Sequence, residues 1–94
     1  FLNRNQNGSG LMTDKELKTI KTIAESGSIQ KAAVQLQKNP SSISRMVHRV
    51  EEDLDIVLFT RTPEGLKATA EGEIYLKTAD EILKLYDALH SDQQ

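Results

Sequence analysis

Asn39-Pro40-Ser41-Ser42-Ile43-Ser44-Arg45 places three hydroxyls and a guanidinium within one run of seven residues. Short hydroxylic donors beside a guanidinium suit hydrogen bonding to phosphate oxygens and base edges, and arginine is the commonest reader of guanine. His48 and Arg49 extend this polar set one turn further. Each residue also has a plainer reading: serines are common at helix starts without a ligand, Arg45 can pair with Glu51 or Glu52, and His48 and Arg49 can belong to an ordinary solvated face. Arg61 and Lys67 lie beyond, positioned for phosphate or minor-groove contact or for simple exposure on a hairpin, and Lys38 is the weakest of these candidates.

Other chemistries find little support. The chain has no cysteine, which removes disulfides, thiolate zinc sites and cysteine nucleophiles. His48 and His90 are the only histidines, and the one carboxylate at helical ligand spacing is Glu52, four residues after His48. That spacing predicts a surface pair, and no metal site or cofactor is expected. No Gly-rich phosphate loop or nucleophile-elbow motif is present, and the acidic run Glu51 to Asp55 lacks the alternation and central glycine of a calcium loop. A catalytic role is therefore not expected.

These residues must be positioned by helices. Pro40 suits a first helical position and Asn39 can cap it. Ile43, Met46, Val47, Val50 and Leu54 then form a buried stripe, leaving Ser41, Ser42, Ser44, Arg45, His48 and Arg49 outward. Upstream, Thr13 and Glu16 make a capping box for a helix reaching about Ser26, with Leu17, Ile20, Ile23 and Ala24 on one face, and Gly27 ends it. Ser28 caps a second helix carrying Ile29, Ala32, Ala33 and Leu36, and Gln37 to Asn39 turn the chain into the third. Two helices joined by so short a turn, the second beginning with small polar residues, read as a helix-turn-helix whose second helix enters a DNA major groove.

After the third helix, Ile56 to Arg61 is β-prone, Thr62-Pro63-Glu64-Gly65 is a turn, and Leu66 to Thr69 returns as a second strand, a hairpin of the size called a wing. Thr69 caps a fourth helix continuing to about Leu89. Its apolar residues Tyr75, Leu76, Ala79, Ile82, Leu83, Tyr86 and Leu89 step by threes and fours over a face too wide for the short helices to cover, so a second copy of the chain is the expected partner. The expected fold is mainly α: a three-helix core with a two-stranded wing over residues 12–69, then a long dimerisation helix over 70–94 with a frayed end. Residues 1–11, polar and containing Asn7-Gly8-Ser9-Gly10, read as a disordered lead or an expression remnant.

The 94 residues, 37% apolar, suffice for one small domain. No apolar run approaches the roughly 20 residues that span a bilayer, and no secretory signal is legible, so a soluble, cytoplasmic protein is expected. The net charge of −2 argues against nucleic acid only until its distribution is considered. Residues 1–37 hold five basic against three acidic side chains, residues 38–69 five against five, and residues 70–94 two against six. Lys38, Arg45, Arg49, Arg61 and Lys67 are expected on the groove side, so one face is basic on a mildly acidic molecule.

From Met12 to Leu89 the sequence resembles the LysR-type transcriptional regulators. The blocks that carry the likeness stand in order: Glu25-Ser26-Gly27-Ser28, Lys31-Ala32-Ala33-Val34-Gln35-Leu36, Ser44-Arg45, Val50-Glu51-Glu52-Asp53-Leu54, Leu58-Phe59-Thr60-Arg61 and Leu66-Lys67-Ala68-Thr69-Ala70-Glu71-Gly72. The resemblance implies a winged helix-turn-helix, a linker helix pairing antiparallel with its mate, double-stranded DNA as partner, and a small-molecule effector bound by a C-terminal domain not contained here. Three positions depart from the family pattern, one of them Lys38, which stands where the family tends to have an apolar residue. Pro40 stands where glutamine is common and cannot make that residue's bidentate amide contact to adenine, and Asp55 stands where glycine usually ends the helix. A winged helix can also serve purely as a protein-interaction module, which remains the alternative. A third possibility is a fragment that dimerises in isolation and binds one half-site weakly.

Overall fold

The computed structural model describes residues 13–92, with side chains through His90; the polar lead at 1–11 lies outside the described residues. Four helices and a two-stranded hairpin follow in order: α1 (Asp14–Ser26), α2 (Ile29–Leu36), α3 (Pro40–Leu54), β1 (Phe59–Thr62), β2 (Gly65–Ala68) and α4 (Ala70–Asp92).

The helix starts form as their capping residues dictate. Thr13 Oγ1 accepts from Glu16 N–H at 3.2 Å, Ser28 Oγ from Lys31 N–H at 3.1 Å, and Asn39 Oδ1 from Ser41 N–H at 2.8 Å. Thr69 Oγ1 accepts from Gly72 N–H at 2.9 Å. The helix ends use left-handed residues: Gly27 with φ 74°, but also Gln37 and Asp55, each with φ 57°. Lys38 N–H bonds to Ala33 O at 2.9 Å and Ile56 N–H to Glu51 O at 3.1 Å, closing the last turns of α2 and α3. Asp55 thus adopts the conformation that glycine takes most easily, and Gln37 does the same without a short polar side chain to ease it.

Helix α1 is central and packs against α2, α3, α4 and β2. Leu17, Ile20 and Ile23 are fully buried in it, and around them lie Ala32 and Ala33 of α2, Ile43, Val47 and Val50 of α3, Leu58, and Tyr75 and Ala79 of α4. Lys21 reaches across from α1 to Asp80 of α4 at 2.8 Å, and its hydrogen bond and charge hold the Asp80 carboxyl below its ordinary value.

The wing is shorter than its β-prone sequence predicts, because Ile56 to Leu58 have no strand paired with them among the described residues. Their N–H groups bond to α3 and α4 instead: Val57 to Glu71 Oε1 at 3.2 Å and Leu58 to Glu51 Oε2 at 2.8 Å. Pairing begins at Phe59 opposite Ala68 and ends at Thr62 opposite Gly65, antiparallel. The start of α4 is seated on the same segment, since Thr69 N–H donates to Leu58 O at 2.9 Å. Gly72 fits there only for want of a side chain: a Cβ would lie 2.1 Å from Leu58 O.

Candidate nucleic-acid interface

At about 100° per residue, the outward side chains of α3 fan across one arc. Ser41, Ser44 and His48 lie toward the wing, Arg45 at the centre, and Ser42 and Arg49 toward α1. All are exposed except Ser44, which is partly buried. Among the described residues Arg45 makes no ion pair, so its guanidinium is committed to neither Glu51 nor Glu52.

Two clefts flank this arc. The first, about 590 Å³, is lined by Ser28, Ile29 and Gln30 at the start of α2, by Pro40, Ser41 and Ser44 at the start of α3, and by Arg61 with Gly27, Gly65 and Leu66. No carboxylate lines it, and two helix N-termini with their partial positive charge converge on it. An anion is the ligand such a surface favours. The structure thereby brings Ser41, Ser44 and Arg61 together. Ser28 and Gln30 escaped the sequence reading: Ser28 was legible only as a cap, and the tight turn between α2 and α3 sets the two helix starts side by side.

The second cleft, about 310 Å³, lies between α1 and α3 and is lined by Lys15, Lys38, Ser42, Met46 and Arg49, with Glu16. Arg49 donates from Nη2 to Glu16 Oε2 at 2.5 Å, so one edge of its guanidinium is engaged within the protomer. Ser42 and Arg49 therefore sit on the opposite side of Arg45 from the wing.

Lys67 departs from its expected place. In the hairpin Thr60 faces Lys67 and Arg61 faces Leu66, and successive side chains point to opposite faces, so Arg61 and Lys67 cannot share one. Arg61 looks into the first cleft, whereas Lys67 lines a third with Glu25, Glu64 and Glu73. The structure thus sets Arg61 and Lys67 on opposite faces of the wing.

The residues expected at a dimer seam divide by their burial within one protomer. Tyr75 and Ala79 are 4% and 0% exposed within a single protomer, because they pack against α1 and complete its core. Leu76, Ile82 and Leu83 are partly buried against the same core. Of the seven expected seam residues, Tyr86 and Leu89 are exposed, and they are joined by Ile74 and Leu85, which the sequence reading left out. Ile74, Leu85 and Leu89 form an apolar row that α4 leaves uncovered among the described residues, with Tyr86 beside it.

Among the described residues no helix is long and apolar enough to cross a membrane. The sequence profile of the bacterial regulatory helix-turn-helix protein, lysR family, matches residues 15–73. The HTH-type transcriptional regulator YofA of Bacillus subtilis (strain 168) is 46% identical over 76 residues, which cover 81% of this chain and 27% of the relative. The chain spans about a quarter of the length of the curated relatives it matches. Its fold superposes on the crystal structure of a CbnR DNA-binding-domain–DNA complex with TM-score 0.80 and 32% identity, covering 87% of this chain and 94% of that one. A complex of the BenM DNA-binding domain with catB site 1 DNA gives TM-score 0.81 at 29% identity, covering 87% and 91%. The chain belongs to the lysR family of bacterial regulatory helix-turn-helix proteins.

Proposed function

We propose that residues 12–69 are a sequence-specific DNA-binding domain of a transcriptional regulator, with α3 in the major groove and the wing on flanking backbone. The observation that carries this reading is Arg45: exposed, without an ion-pair partner among the described residues, and central on the outward face of a helix whose start opens on a cleft that no described carboxylate lines. The superposition on domains solved with DNA supports it. Ser41, Ser42 and Ser44 take phosphate oxygens and base edges near the helix start, Arg45 reads base edges, and His48, Arg49 and Arg61 hold the backbone on either side. Lys67, on the other face of the wing, contributes only long-range charge.

Residues 70–94 pair two protomers through the uncovered row of α4, which sets the separation of two half-sites. The chain works without catalysis or cofactor and acts in the cytoplasm, with any small-molecule effector bound by a further domain of the intact regulator. Selection of bound duplexes from a random-sequence pool tests this reading. An enriched motif with two inverted halves about one helical turn or a multiple apart is expected; recovery of unenriched sequence would contradict specific recognition.

A further inference from the structure

Two buried polar atoms have no hydrogen-bond partner among the described protein groups: Glu16 Oε1 on α1 and Tyr75 Oη on α4. Their residues are 7% and 4% exposed. An orphaned buried carboxylate oxygen and an orphaned buried hydroxyl each carry a large desolvation penalty, and a fold that retained both separately would bear it twice. The two are chemically complementary, since a phenol O–H donates and an ionised carboxylate only accepts. Helix α1 packs against both α3 and α4, and Glu16 already binds Arg49 of α3 through its other oxygen. Burial and the Glu16 charge together push the Tyr75 phenol up to about 12, which places that carboxylate within electrostatic reach of the ring.

We propose that the Tyr75 hydroxyl is linked to Glu16 Oε1 through one buried water, donating to it while the water donates to the carboxylate, so that Tyr75, Glu16 and Arg49 form a hydrogen-bonded relay from the linker helix to the recognition helix. Glu16 and Tyr75 are then positioning residues. The carboxylate holds one Nη of Arg49 and leaves the remaining guanidinium donors free to face a phosphate, while Tyr75 fixes the carboxylate. A change in the seating of α4 is felt at Arg49 through hydrogen bonds as well as packing. The last consequence, for DNA, rests on the DNA-binding reading above; the relay itself does not.

The sign of a melting shift tests the relay. A phenol with no partner is better replaced by phenylalanine, so Tyr75→Phe would raise or leave the melting temperature, whereas a paired phenol makes the same change lower it by about 4–8 °C. The relay requires that this fall disappear when Tyr75→Phe is made in a Glu16→Met background. It also requires that Tyr75→Phe shift the side-chain Nε–H resonance of Arg49, which lies on another helix, a signature that lost packing at Tyr75 alone would not give. A melting temperature unchanged or raised by Tyr75→Phe, an equal fall in both backgrounds, or an unmoved Arg49 resonance would each overturn it. None of these measurements uses DNA, so they succeed or fail independently of the DNA-binding reading.

Discussion

The backbone N–H of Leu66 donates to the carbonyl of Gly27 at 3.0 Å, tying the wing to the corner between the first two helices. Arg61 and the start of α3 therefore face the same cleft through a main-chain contact and not through side-chain packing alone. Gly65, just before Leu66, has φ 118°, and a Cβ there would stand 2.7 Å from Gly27 O. Gly65→Ala is expected to destabilise the fold by about 1–3 kcal/mol, the usual cost of a side chain forced into such a backbone conformation. Urea unfolding of the variant checks this, and a midpoint equal to that of the parent chain would mean that the contact yields without strain.

Gln37 occupies a left-handed position that costs a non-glycine residue roughly 1–2 kcal/mol, partly offset because glycine has more freedom to lose on folding. Gln37→Gly should raise stability by about 0.5–1 kcal/mol, read as a thermal shift of a few degrees. Asp55→Gly should gain less, since a short carboxylate tolerates that conformation better.

Leu85 is 62% exposed in the protomer and lies in the uncovered row of α4. Leu85→Glu is therefore expected to give a folded monomer in sedimentation velocity, with unchanged helicity, because its charge enters the seam without touching the core. Ile82→Glu is a poorer probe, since Ile82 also packs against that core. A Leu85→Glu chain that still sediments as a dimer would place the seam elsewhere.

Tyr75 provides a pH signature. Its phenol is raised from 10.0 to about 12 in the fold by burial first and by the Glu16 charge second. A raised pKa gives a contribution that is whole below the unfolded value and disappears as pH climbs through the folded one. Stability should thus fall by about 2–3 kcal/mol between pH 10 and 12, in excess of the fall shown by Tyr75→Phe. Parallel alkaline profiles for the two chains would count against a shifted phenol.

Much of this architecture is legible in the sequence because its signals are local. The caps at Thr13, Ser28, Asn39 and Thr69 and the apolar stripe of α3 act within a few residues, and they place the four helix starts where the structure has them. What escaped depends on contacts between distant segments. Ile56 to Leu58 have strand propensity, but Glu51 and Glu71 take their N–H groups. Tyr75 and Ala79 share helical spacing with Tyr86 and Leu89, yet α1 covers the first pair and leaves the second open. Arg49 looks as free as Arg45 until Glu16, 33 residues earlier, is brought beside it. The outward face of α3 was thus readable, because one helix sets its geometry, and that of the wing less so, because strand register separates Arg61 from Lys67.

The proposed function has α3 reading DNA with Arg45 at its centre. Its most direct test is a fluorescence-anisotropy titration of duplex DNA at about 50 and 200 mM salt, with Arg45→Ala and Lys67→Ala in parallel. Binding that falls many-fold with salt and a loss on the order of 1–3 kcal/mol for specific DNA in Arg45→Ala are predicted, with a much smaller loss in Lys67→Ala. A folded dimer that binds no duplex at the lower salt, or an Arg45→Ala chain with the parent affinity, would rule this out and favour a winged helix that binds protein instead.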